Sequence, residues 1–424
     1  MERFIIEGGH RLAGEIRPAG NKNAALPMLA GALLSTGPVT LTNLPEIEDV
    51  RIMLRLLESV GAEVQRQDHA VTIYTPEVRP TALDPDLCRR IRTSLLLAGP
   101  LLARAGWANL GVPGGDSIGR RRNDTHFLAL EALGADVTVE HTGYTMRTEG
   151  LRGAEIFLDE ASVTGTEQAM LTAVTAEGNT TIFNAASEPH VQDLAHFLNT
   201  LGAQITGIGS NTLHIAGVAQ LGSGTYNIMS DHMEVGSFLG LAAVTGSELL
   251  IRDAVPEHLR MTRLVFGRLG VQCEVRGPDL YVPGDQELRV QYDAHGAILK
   301  VDDGPWPAFP SDLMSIAVVL ATQSEGTVLV FEKMFESRLF FVDRLISMGA
   351  QIVLCDPHRA VVVGRSALRG DDITSPDIRA GMALILAALC AEGTSVVQNI
   401  GQIDRGYERL ETRLQAIGAH IRRA

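Results

Sequence analysis

The sequence predicts an α/β protein of two domains, each built from three repeats of helices and strands. The prediction depends on a pair of glycines that recurs six times along the 424 residues at nearly constant spacing. This recurrence indicates a sixfold internal repeat. One glycine ends a helix-like stretch and precedes a new strand, at Gly61, Gly134, Gly202, Gly270, Gly349 and Gly418. The other lies 23 to 28 residues earlier and opens an apolar stretch, at Gly37, Gly106, Gly178, Gly246, Gly326 and Gly393.

The first copy shows how each element of a repeat is predicted. Residues 24–34 are rich in Ala, Leu and Met and favour a buried helix, which the Gly-Pro pair at 37 and 38 ends. The alternating stretch 39–44 predicts a strand. Asp49 is expected to cap a second helix, whose apolar residues fall on one face, and Gly61 fits the left-handed position that ends it. Each repeat is therefore predicted as helix–strand–helix–strand.

The length of a repeat sets the domain organisation. A unit of about 70 residues is too small to bury its own helix well, so we expect three units to pack into one domain, twice. We predict a first domain over residues 21–230, with a mobile loop at about 112–122, and a second over residues 1–20 plus 231–424. The strand at 4–7 could belong to either. The active site is expected in the cleft between the domains.

Composition excludes several classes of function. The formal net charge of −14 disfavours a nucleic-acid partner. The sequence shows no signal peptide and no apolar run long enough to insert into a membrane, so a cytoplasmic protein is expected. The four cysteines have no metal-binding spacing, and neither a dinucleotide motif nor a histidine cluster is visible in the sequence. We therefore expect no metal and no cofactor.

The copies depart from one another at short charged motifs near helix starts. These motifs are KNAALP from Lys22, VPGGDSIGRRR at 112–122, WPAFPSD ending at Asp312, SPDIRAG at 375–381 and IDRGYER at 403–409. Taken singly, each allows a simple structural role: Lys22 as a solvated charge, the loop as a surface hairpin, Asp312 as a helix cap. Together they combine arginine forks and helix N-termini, which bind anions, with carboxylates suited to proton transfer. An anionic, phosphate-bearing substrate is the predicted ligand.

In this order and at these intervals, KNAALP, PGG-x-x-IG-x-R, PAFPSD, SPDIRAG and IDRGYER resemble the UDP-N-acetylglucosamine 1-carboxyvinyltransferase family of enolpyruvyl transferases. The resemblance runs over essentially the whole chain. It implies two inside-out α/β prism domains of three repeats each. It also implies metal-free transfer of enolpyruvyl from phosphoenolpyruvate to the 3′-hydroxyl of UDP-N-acetylglucosamine, with release of phosphate, in the first committed step of peptidoglycan synthesis. The reaction is an addition followed by an elimination through a tetrahedral ketal.

The resemblance implies a role for each matching residue. Lys22, Arg121 and Arg405 are expected to bind phosphoenolpyruvate, with Arg379 and Arg92 as further anion ligands, and Asn23 to contact both substrates. Asp312 is expected to take the proton from the 3′-hydroxyl, and Asp116 to protonate the methylene carbon. The expected sugar-nucleotide contacts are Arg92, Arg121, Arg122, Asn123, Asp124, Thr125, Ser162, Val163, Thr164, Asp312 and Met334.

Two positions depart from the family's usual pattern. Most members carry Cys where this chain has Asp116, and that cysteine is the group that the epoxide fosfomycin alkylates; a minority carry Asp. The stretch that begins at Arg121 reads RRNDT, where Pro and an apolar residue commonly follow the first Arg. Three alternatives therefore stay open: transfer to shikimate 3-phosphate, transfer to another uridine nucleotide, and a non-catalytic paralogue that binds a UDP-sugar. The sequence does not give the oligomeric state.

Overall fold

The computed structural model describes residues 2–116 and 118–424. The chain forms two compact units, each described here by itself. The N-terminal unit contains Gly20–Gly115 and Arg121–Met229. The C-terminal unit contains Met1–Ala19, Asp116–Arg120 and Ser230–Ala424. The segment that carries Asp116 thus groups with the C-terminal unit, although it lies within the range 21–230 in the sequence.

The secondary structure is mixed throughout. The strands in chain order are β1 Phe4–Glu7, β2 Ala13–Ile16, β3 Val39–Thr42, β4 Glu63–Gln67, β5 Ala70–Tyr74, β6 Trp107–Gly111, β7 Asp136–Val139, β8 Gly143–Arg147, β9 Glu155–Phe157, β10 Asn179–Phe183, β11 Gln204–Thr206, β12 Thr212–Ala216, β13 Gly224–Asn227, β14 Glu248–Ile251, β15 Glu274–Arg276, β16 Asp279–Val282, β17 Leu299–Asp302, β18 Gly326–Phe331, β19 Gln351–Asp356, β20 Arg359–Gly364, β21 Asp372–Thr374, β22 Thr394–Gln398 and β23 His420–Arg423. The helices are α1 Lys22–Gly31, α2 Glu48–Ser59, α3 Pro85–Arg90, α4 Ala98–Ala105, α5 Asp124–Ala132, α6 Val163–Ala173, α7 Pro189–Thr200, α8 His232–Val244, α9 Arg260–Arg268, α10 Met314–Gln323, α11 Val342–Ser347, α12 Ile378–Cys390 and α13 Leu410–Ala416. Short 3₁₀ turns lie at Ala32–Leu34, Arg92–Leu97, Pro256–Leu259, Ala294–Gly296, Ser311–Leu313, Arg338–Phe341 and Ile400–Arg405.

Each unit contains three sheets, one for each sequence repeat. The N-terminal unit has the strand orders β13-β3-β5-β4, β6-β8-β7 and β11-β12-β10-β9. The C-terminal unit has β15-β16-β14-β2, β17-β18-β20-β19 and β21-β22-β1-β23. The four-stranded sheets share one pattern. In the first, β13 pairs in parallel with β3, and two antiparallel strands, β5 and β4, complete the sheet; the other four-stranded sheets have the same parallel pair.

The predicted repeat of two helices and two strands was two strands short in the four-stranded sheets. One missing strand, such as β9 or β17, comes before the central helix and pairs in parallel with the first predicted strand. The other, such as β5 or β12, returns as a hairpin partner and inserts between the two predicted strands. In the sixth repeat this position is filled by β1, which pairs with both β22 and β23. The N-terminal strand therefore belongs to the C-terminal unit.

Three helices form the centre of each unit, and the sheets surround them. In the C-terminal unit α8, α10 and α12 pack against one another, and every residue of α8 and α10 is buried. In the N-terminal unit α1, α4 and α6 hold the same place. A helix that is apolar on all sides is stable only inside a core, and each unit has its own hydrophobic core around these helices. This is the inside-out prism arrangement that the resemblance implied.

The outer helices end as the repeated glycines predicted. All six glycines from Gly61 to Gly418 have φ between +92° and +105°. At each, the amide of the residue after the glycine donates to the carbonyl five residues earlier, as from Ala62 to Leu57 and from Ala203 to Leu198, which is the Schellman pattern. Asp49 is not a cap as predicted: Ile47 precedes α2, and the Asp49 side chain points into the unit.

Among residues 2–116 and 118–424, no helix is long and apolar enough to cross a membrane.

Candidate active site

Five of the six central helices carry predicted site residues at their N-terminal ends. Lys22 and Asn23 open α1, and Arg92 begins the turn that leads into α4. Ser162 caps α6. Asp312 lies in the turn before α10, and Arg379 is the second residue of α12. Free backbone amides at helix starts attract anions, so the fold places the predicted charges where phosphate and carboxylate groups bind most readily.

Asp312 is held by two arginines of the C-terminal unit. Its Oδ1 accepts from Nη2 of Arg338 at 3.0 Å, and its Oδ2 accepts from Nε of Arg379 at 2.9 Å. Both arginine side chains are buried, whereas the Asp312 side chain is 28% exposed. Asp312 is therefore not a helix cap. Two guanidinium groups bind and orient its carboxyl group, as a proton acceptor requires.

Arg379 is built into the core below this carboxylate. It also donates to the phenol oxygen of Tyr407 at 3.3 Å, and Tyr407 contacts the hydroxyl of Ser237 at 3.0 Å. Burial opposes the charge of Arg379, but Asp312 and Tyr407 outweigh it and raise the pKa of the guanidinium above its ordinary value. This side chain is a fixed positive charge.

Asp116 pairs with Arg405 in the C-terminal unit. Nη1 of Arg405 lies 2.8 Å from Oδ1 of Asp116 and also donates to Gln402 at 3.0 Å. Both members of the pair are mostly buried, with 19% and 14% of their side chains exposed. Asp116 is therefore held by a guanidinium group that also belongs to the predicted anion-binding set.

The loop that carries Asp116 is fixed on both sides. The amide of Ser337 donates to the carbonyl of Ile118. Gly119 has φ of +125°, and a Cβ atom added to it would lie 2.3 Å from the carboxylate of Glu336. On the other side, a Cβ at Gly114 would collide with the carbonyl of Arg89. The glycines predicted to make the loop mobile are thus also required for its fit. Ser117 lies outside the described residues.

Lys22 is paired within the N-terminal unit. Its Nζ lies 2.7 Å from Oδ2 of Asp49, and both side chains are nearly buried. Asn21 caps α1 by accepting from the amide of Ala24. Sequence analysis missed Asp49 as a site residue, because the contact joins α1 to α2 and has no local signature.

Arg92 and Arg121 form a second cationic group in the N-terminal unit. Burial, together with the positive charge of Arg121, lowers the pKa of Arg92 to about 10. Arg92 donates to the backbone carbonyls of Arg121 and Arg122, while its Nε is buried without a partner among the described residues. Two like charges held together in this way are stabilised by an anion.

The predicted nucleotide-binding stretch is held by local hydrogen bonds. Arg122 pairs with Asp159 and lies near Asp124, and the Thr125 hydroxyl donates to Asp159 at 2.7 Å. Nδ2 of Asn123 donates to the Tyr144 hydroxyl, and its buried Oδ1 has no donor among the described residues.

The second predicted nucleotide stretch opens α6. The Ser162 hydroxyl accepts from the amide of Gly165 at 3.1 Å, and the Thr164 hydroxyl lies 3.0 Å from Nε2 of His126. Burial, then the charge of Arg92, lowers the pKa of His126 to about 3, so this histidine is neutral. Val163 follows the cap as the first residue of α6. Met334 lies in the C-terminal unit with a 41% exposed side chain.

Three further polar residues of the C-terminal unit were missed or only partly foreseen. Arg338 links Asp312 to the buried Glu332 and belongs to no recognised motif. Asp377 caps α12, and burial raises its pKa. Asp231 caps α8, the one central helix for which the sequence analysis named no residue.

Comparisons with known proteins place the chain in a family. A family model described as EPSP synthase (3-phosphoshikimate 1-carboxyvinyltransferase) matches residues 6–414. Proteins named UDP-N-acetylglucosamine 1-carboxyvinyltransferase are 60% identical in Bradyrhizobium diazoefficiens over 99% of this chain and 98% of the relative, and 54% identical in Treponema pallidum over 99% of both. The one from Borreliella burgdorferi is 52% identical over 100% of this chain and 99% of its own.

Solved structures agree on the fold. The enolpyruvyl transferase NikO from Streptomyces tendae is 24% identical, with a TM-score of 0.89, and 100% of this chain matches 99% of that one. EPSP synthase from Acinetobacter baumannii is 18% identical, with a TM-score of 0.77 and full coverage of both chains. At this identity the likeness concerns the fold alone. Because the family model spans residues 6–414 and the named relatives match from end to end, the chain belongs to the EPSP synthase (3-phosphoshikimate 1-carboxyvinyltransferase) family.

Proposed function

We propose that this protein transfers the enolpyruvyl group of phosphoenolpyruvate to the 3′-hydroxyl of UDP-N-acetylglucosamine and releases phosphate, the first committed step of peptidoglycan synthesis. One observation carries the proposal: relatives with that activity in their name are 48–60% identical over essentially the full chain. The retained charged residues described above support it. We place this reaction in the cytoplasm.

Asp312 is the base for the acceptor in this proposal. It takes the proton of the 3′-hydroxyl while the oxygen forms a bond to the central carbon of phosphoenolpyruvate, and the methylene carbon takes a proton from Asp116. The ketal then breaks its carbon–oxygen bond to phosphate, which leaves with the electron pair. The methyl group returns a proton to the carboxylate of Asp116, and the proton held by Asp312 goes to the released phosphate. The arginines on Asp312 orient it, and a charged carboxylate at this place is ready for the first step.

The cations bind the donor. Lys22, Arg121 and Arg405 are assigned to phosphoenolpyruvate, with Arg379 and Arg92 as further anion ligands. Arg92 and Arg121 are close enough to lower the pKa of Arg92, which fits a place for a multiply charged anion. Asn23 is assigned to both substrates.

The sugar nucleotide is assigned to a larger set of residues in this proposal: Asn23, Arg92, Arg121, Arg122, Asn123, Asp124, Thr125, Ser162, Val163, Thr164, Asp312 and Met334. The oxygen of Asn123, which has no donor within the described part of the chain, and the start of α6 supply acceptor and donor groups suited to a nucleotide. The side chains of Arg122 and Thr125, which are bonded to Asp159, fix the backbone of the stretch.

Arg405 has two competing anionic partners in this mechanism. In the structure it is paired with Asp116, and the phosphate of the donor is the stronger competitor for a guanidinium. Donor binding that draws Arg405 away leaves Asp116 beside a dianion in a closed site, where the carboxyl group takes up a proton.

A phosphate-release assay tests the assignment. We expect release from phosphoenolpyruvate with UDP-N-acetylglucosamine as acceptor and without added metal, and its loss in Asp312→Asn. Parallel reactions contain shikimate 3-phosphate or UMP as the acceptor. Equal or faster release with either one contradicts the assignment, and no release with any acceptor supports a non-catalytic UDP-sugar-binding protein.

A further inference from the structure

Two buried carboxyl groups lie side by side behind Asp312. The strands β17 and β18 are parallel neighbours in which Asp302 pairs with Phe331. Asp303 and Glu332 are the next residues on each strand, so the register brings them together. Both are almost completely buried, with 2% and 0% of the residue exposed.

The hydrogen bonds around this pair leave one oxygen without a donor. The carboxyl group of Glu332 accepts from the Ser311 hydroxyl at 3.0 Å and from the amides of Met334 and Phe335. One oxygen of Asp303 accepts from the amide of Lys333. The other, Oδ2, is buried without a partner among the described residues, although Asp303 and Glu332 are within hydrogen-bonding reach of each other. Two carboxyl oxygens can bond only when one of them carries a proton.

Arg338 lies between this pair and Asp312. Its Nη2 bonds to Asp312 at 3.0 Å, whereas its Nε is 3.8 Å from Oε2 of Glu332 and has no hydrogen-bond partner among the described residues. A charged Glu332 would attract that Nε into a direct bond and turn the guanidinium away from Asp312. A neutral Glu332 leaves Arg338 on Asp312, as observed.

We propose that Asp303 and Glu332 share a single proton, and that this proton keeps Arg338 on Asp312. Glu332 is then a positioning residue for the base of the reaction, a role that rests on the proposed function. The groups that face its carboxyl are Asp303, Arg338 and Ser311. His358 touches only its backbone carbonyl, at 2.7 Å, and Lys333 is paired with Asp302. Burial, then Asp303, raises the pKa of Glu332 to about 8, in agreement with the shared proton.

The proton itself is tested by unfolding, without any substrate. A folded-state pKa of about 8, against an ordinary value of 4.5, means that the folded protein binds an extra proton and that stability is lost as the pH rises from about 4.5 to 8. We expect the Tm of the wild type to fall relative to that of Glu332→Gln between pH 5 and pH 8. The matched control is Glu325→Gln, at an exposed residue just before β18. Its Tm should change with pH in the same way as that of the wild type. A constant difference between the wild type and Glu332→Gln over this range overturns the shared proton.

The positioning role is tested by a rescue. In Asp303→Asn the new amide donates to Glu332 and stabilises its charged form, so Arg338 is drawn off Asp312. We expect kcat at neutral pH to fall about tenfold, the scale seen when groups that orient catalytic residues are removed. The double variant Asp303→Asn, Glu332→Gln should recover most of the lost kcat, because residue 332 no longer carries a negative charge. No loss in Asp303→Asn, or no recovery in the double variant, overturns the role. An inactive wild type instead contradicts the proposed function, and the unfolding result is unaffected.

A different observation supports a second inference, which is independent of the function. Glu7 at the end of β1 and His420 at the start of β23 face each other in the register, and His10 follows in the next turn. One Glu7 oxygen is 3.5 Å from Nε2 of His10, the other is 3.6 Å from Nδ1 of His420, and the two imidazole rings are 3.9 Å apart. Ligands about 2.0–2.2 Å from a tetrahedral zinc ion are separated by roughly 3.4 Å.

We infer that Glu7, His10 and His420 bind one zinc ion on the surface of the C-terminal unit. Two imidazoles and a carboxylate are a common zinc ligand set, and water can fill the fourth position on this exposed surface. The ion would join the two ends of the chain. His420 is about 410 residues from Glu7 and His10 in the sequence, so the three ligands form no spacing motif.

Calorimetry with zinc chloride tests the site on metal-free protein. We expect one ion per chain and a higher Tm with zinc, and at least tenfold weaker binding in His10→Ala and in His420→Ala. The control His295→Ala removes an exposed histidine elsewhere in the same unit and should bind as the wild type does. No zinc binding by the wild type, or equal binding by His420→Ala, overturns the site.

Discussion

At the scale of single residues, the question at Asp116 is how its carboxyl group could hold the proton that the proposed mechanism requires. A carboxyl group that protonates carbon must first hold a proton, yet Asp116 forms an ion pair with Arg405. A cysteine at this position would be protonated at neutral pH without help. In the proposed mechanism, proton donation by Asp116 requires that Arg405 move to the donor when substrates bind, and substitutions at both positions test this requirement.

Replacing Asp116 separates proton donation from nucleophilic reactivity. We expect the wild type to resist fosfomycin, because a carboxylate is a far poorer nucleophile than a thiolate. Asp116→Cys should keep activity and become sensitive, whereas Asp116→Asn should lose most turnover yet still bind UDP-N-acetylglucosamine. Turnover and time-dependent inactivation measure both effects. Normal turnover by Asp116→Asn, or inactivation of the wild type over time, would show that the proton comes from another group.

Lys22 and Arg405 should each contribute strongly to the rate. If both bind the donor as proposed, removing either leaves substrate charge without its counterion, and loss of such a group costs on the order of 3 kcal/mol in kcat/KM. Steady-state kinetics of Lys22→Ala and Arg405→Ala measure the loss, with Arg422→Ala on the exposed side of β23 as a control. Rates close to those of the wild type for either variant would mean that its charge serves contacts within the protein, such as those with Asp49 or with Asp116, and does not bind the donor.

At the scale of elements, the helix ends were the most predictable feature. A left-handed residue after a helix is a local property of the chain, so six glycines followed by small residues were sufficient to locate the ends of the outer helices. The hairpin strands were not predicted, although the β-branched composition of β5 is typical of a strand, because the recurring glycines mark only the ends of helices and leave these strands unmarked. Contacts between elements, such as Lys22 with Asp49 or Arg338 with Asp312, depend on packing that no local pattern records.

Replacing two glycines by alanine should change the free energy of unfolding in opposite directions, although both glycines have open space where a side chain would lie. Gly202 ends α7 with φ of +102°, whereas Gly267 lies inside α9, and neither would bring a Cβ within 4 Å of another atom. Gly202→Ala should lower the free energy of unfolding by about 1–2 kcal/mol, because alanine is strained in the left-handed region. Gly267→Ala should raise it by about 0.5–1 kcal/mol, because alanine favours the helix. Urea unfolding measures both, and changes of the same sign would contradict this account.

At the scale of the whole molecule, the chain closes each unit with a strand that is distant in sequence. β1 completes the sheet of the last repeat, β2 pairs with β14, and β13 pairs with β3. The repeat pattern revealed the number of units, but it could not show which distant strands pair. The sequence of a four-residue strand does not identify its partner. The alternation of buried and exposed residues in β1 fitted either unit equally well.

The N-terminal strand should therefore be essential to the C-terminal unit. β1 is an inner strand, between β22 and β23, and Phe4 and Ile6 are completely buried. Phe4→Ala should cost about 3–5 kcal/mol of stability, the usual range for a buried phenylalanine. Phe340→Ala, where the ring is 51% exposed, is the control and should cost far less. Hydrogen exchange should locate the damage in β22 and β23, because their bonds to β1 are loosened, with less change in β10 and β12 of the N-terminal unit. Equal exchange in all four strands would mean that β1 stabilises the chain through some route other than the sheet it completes.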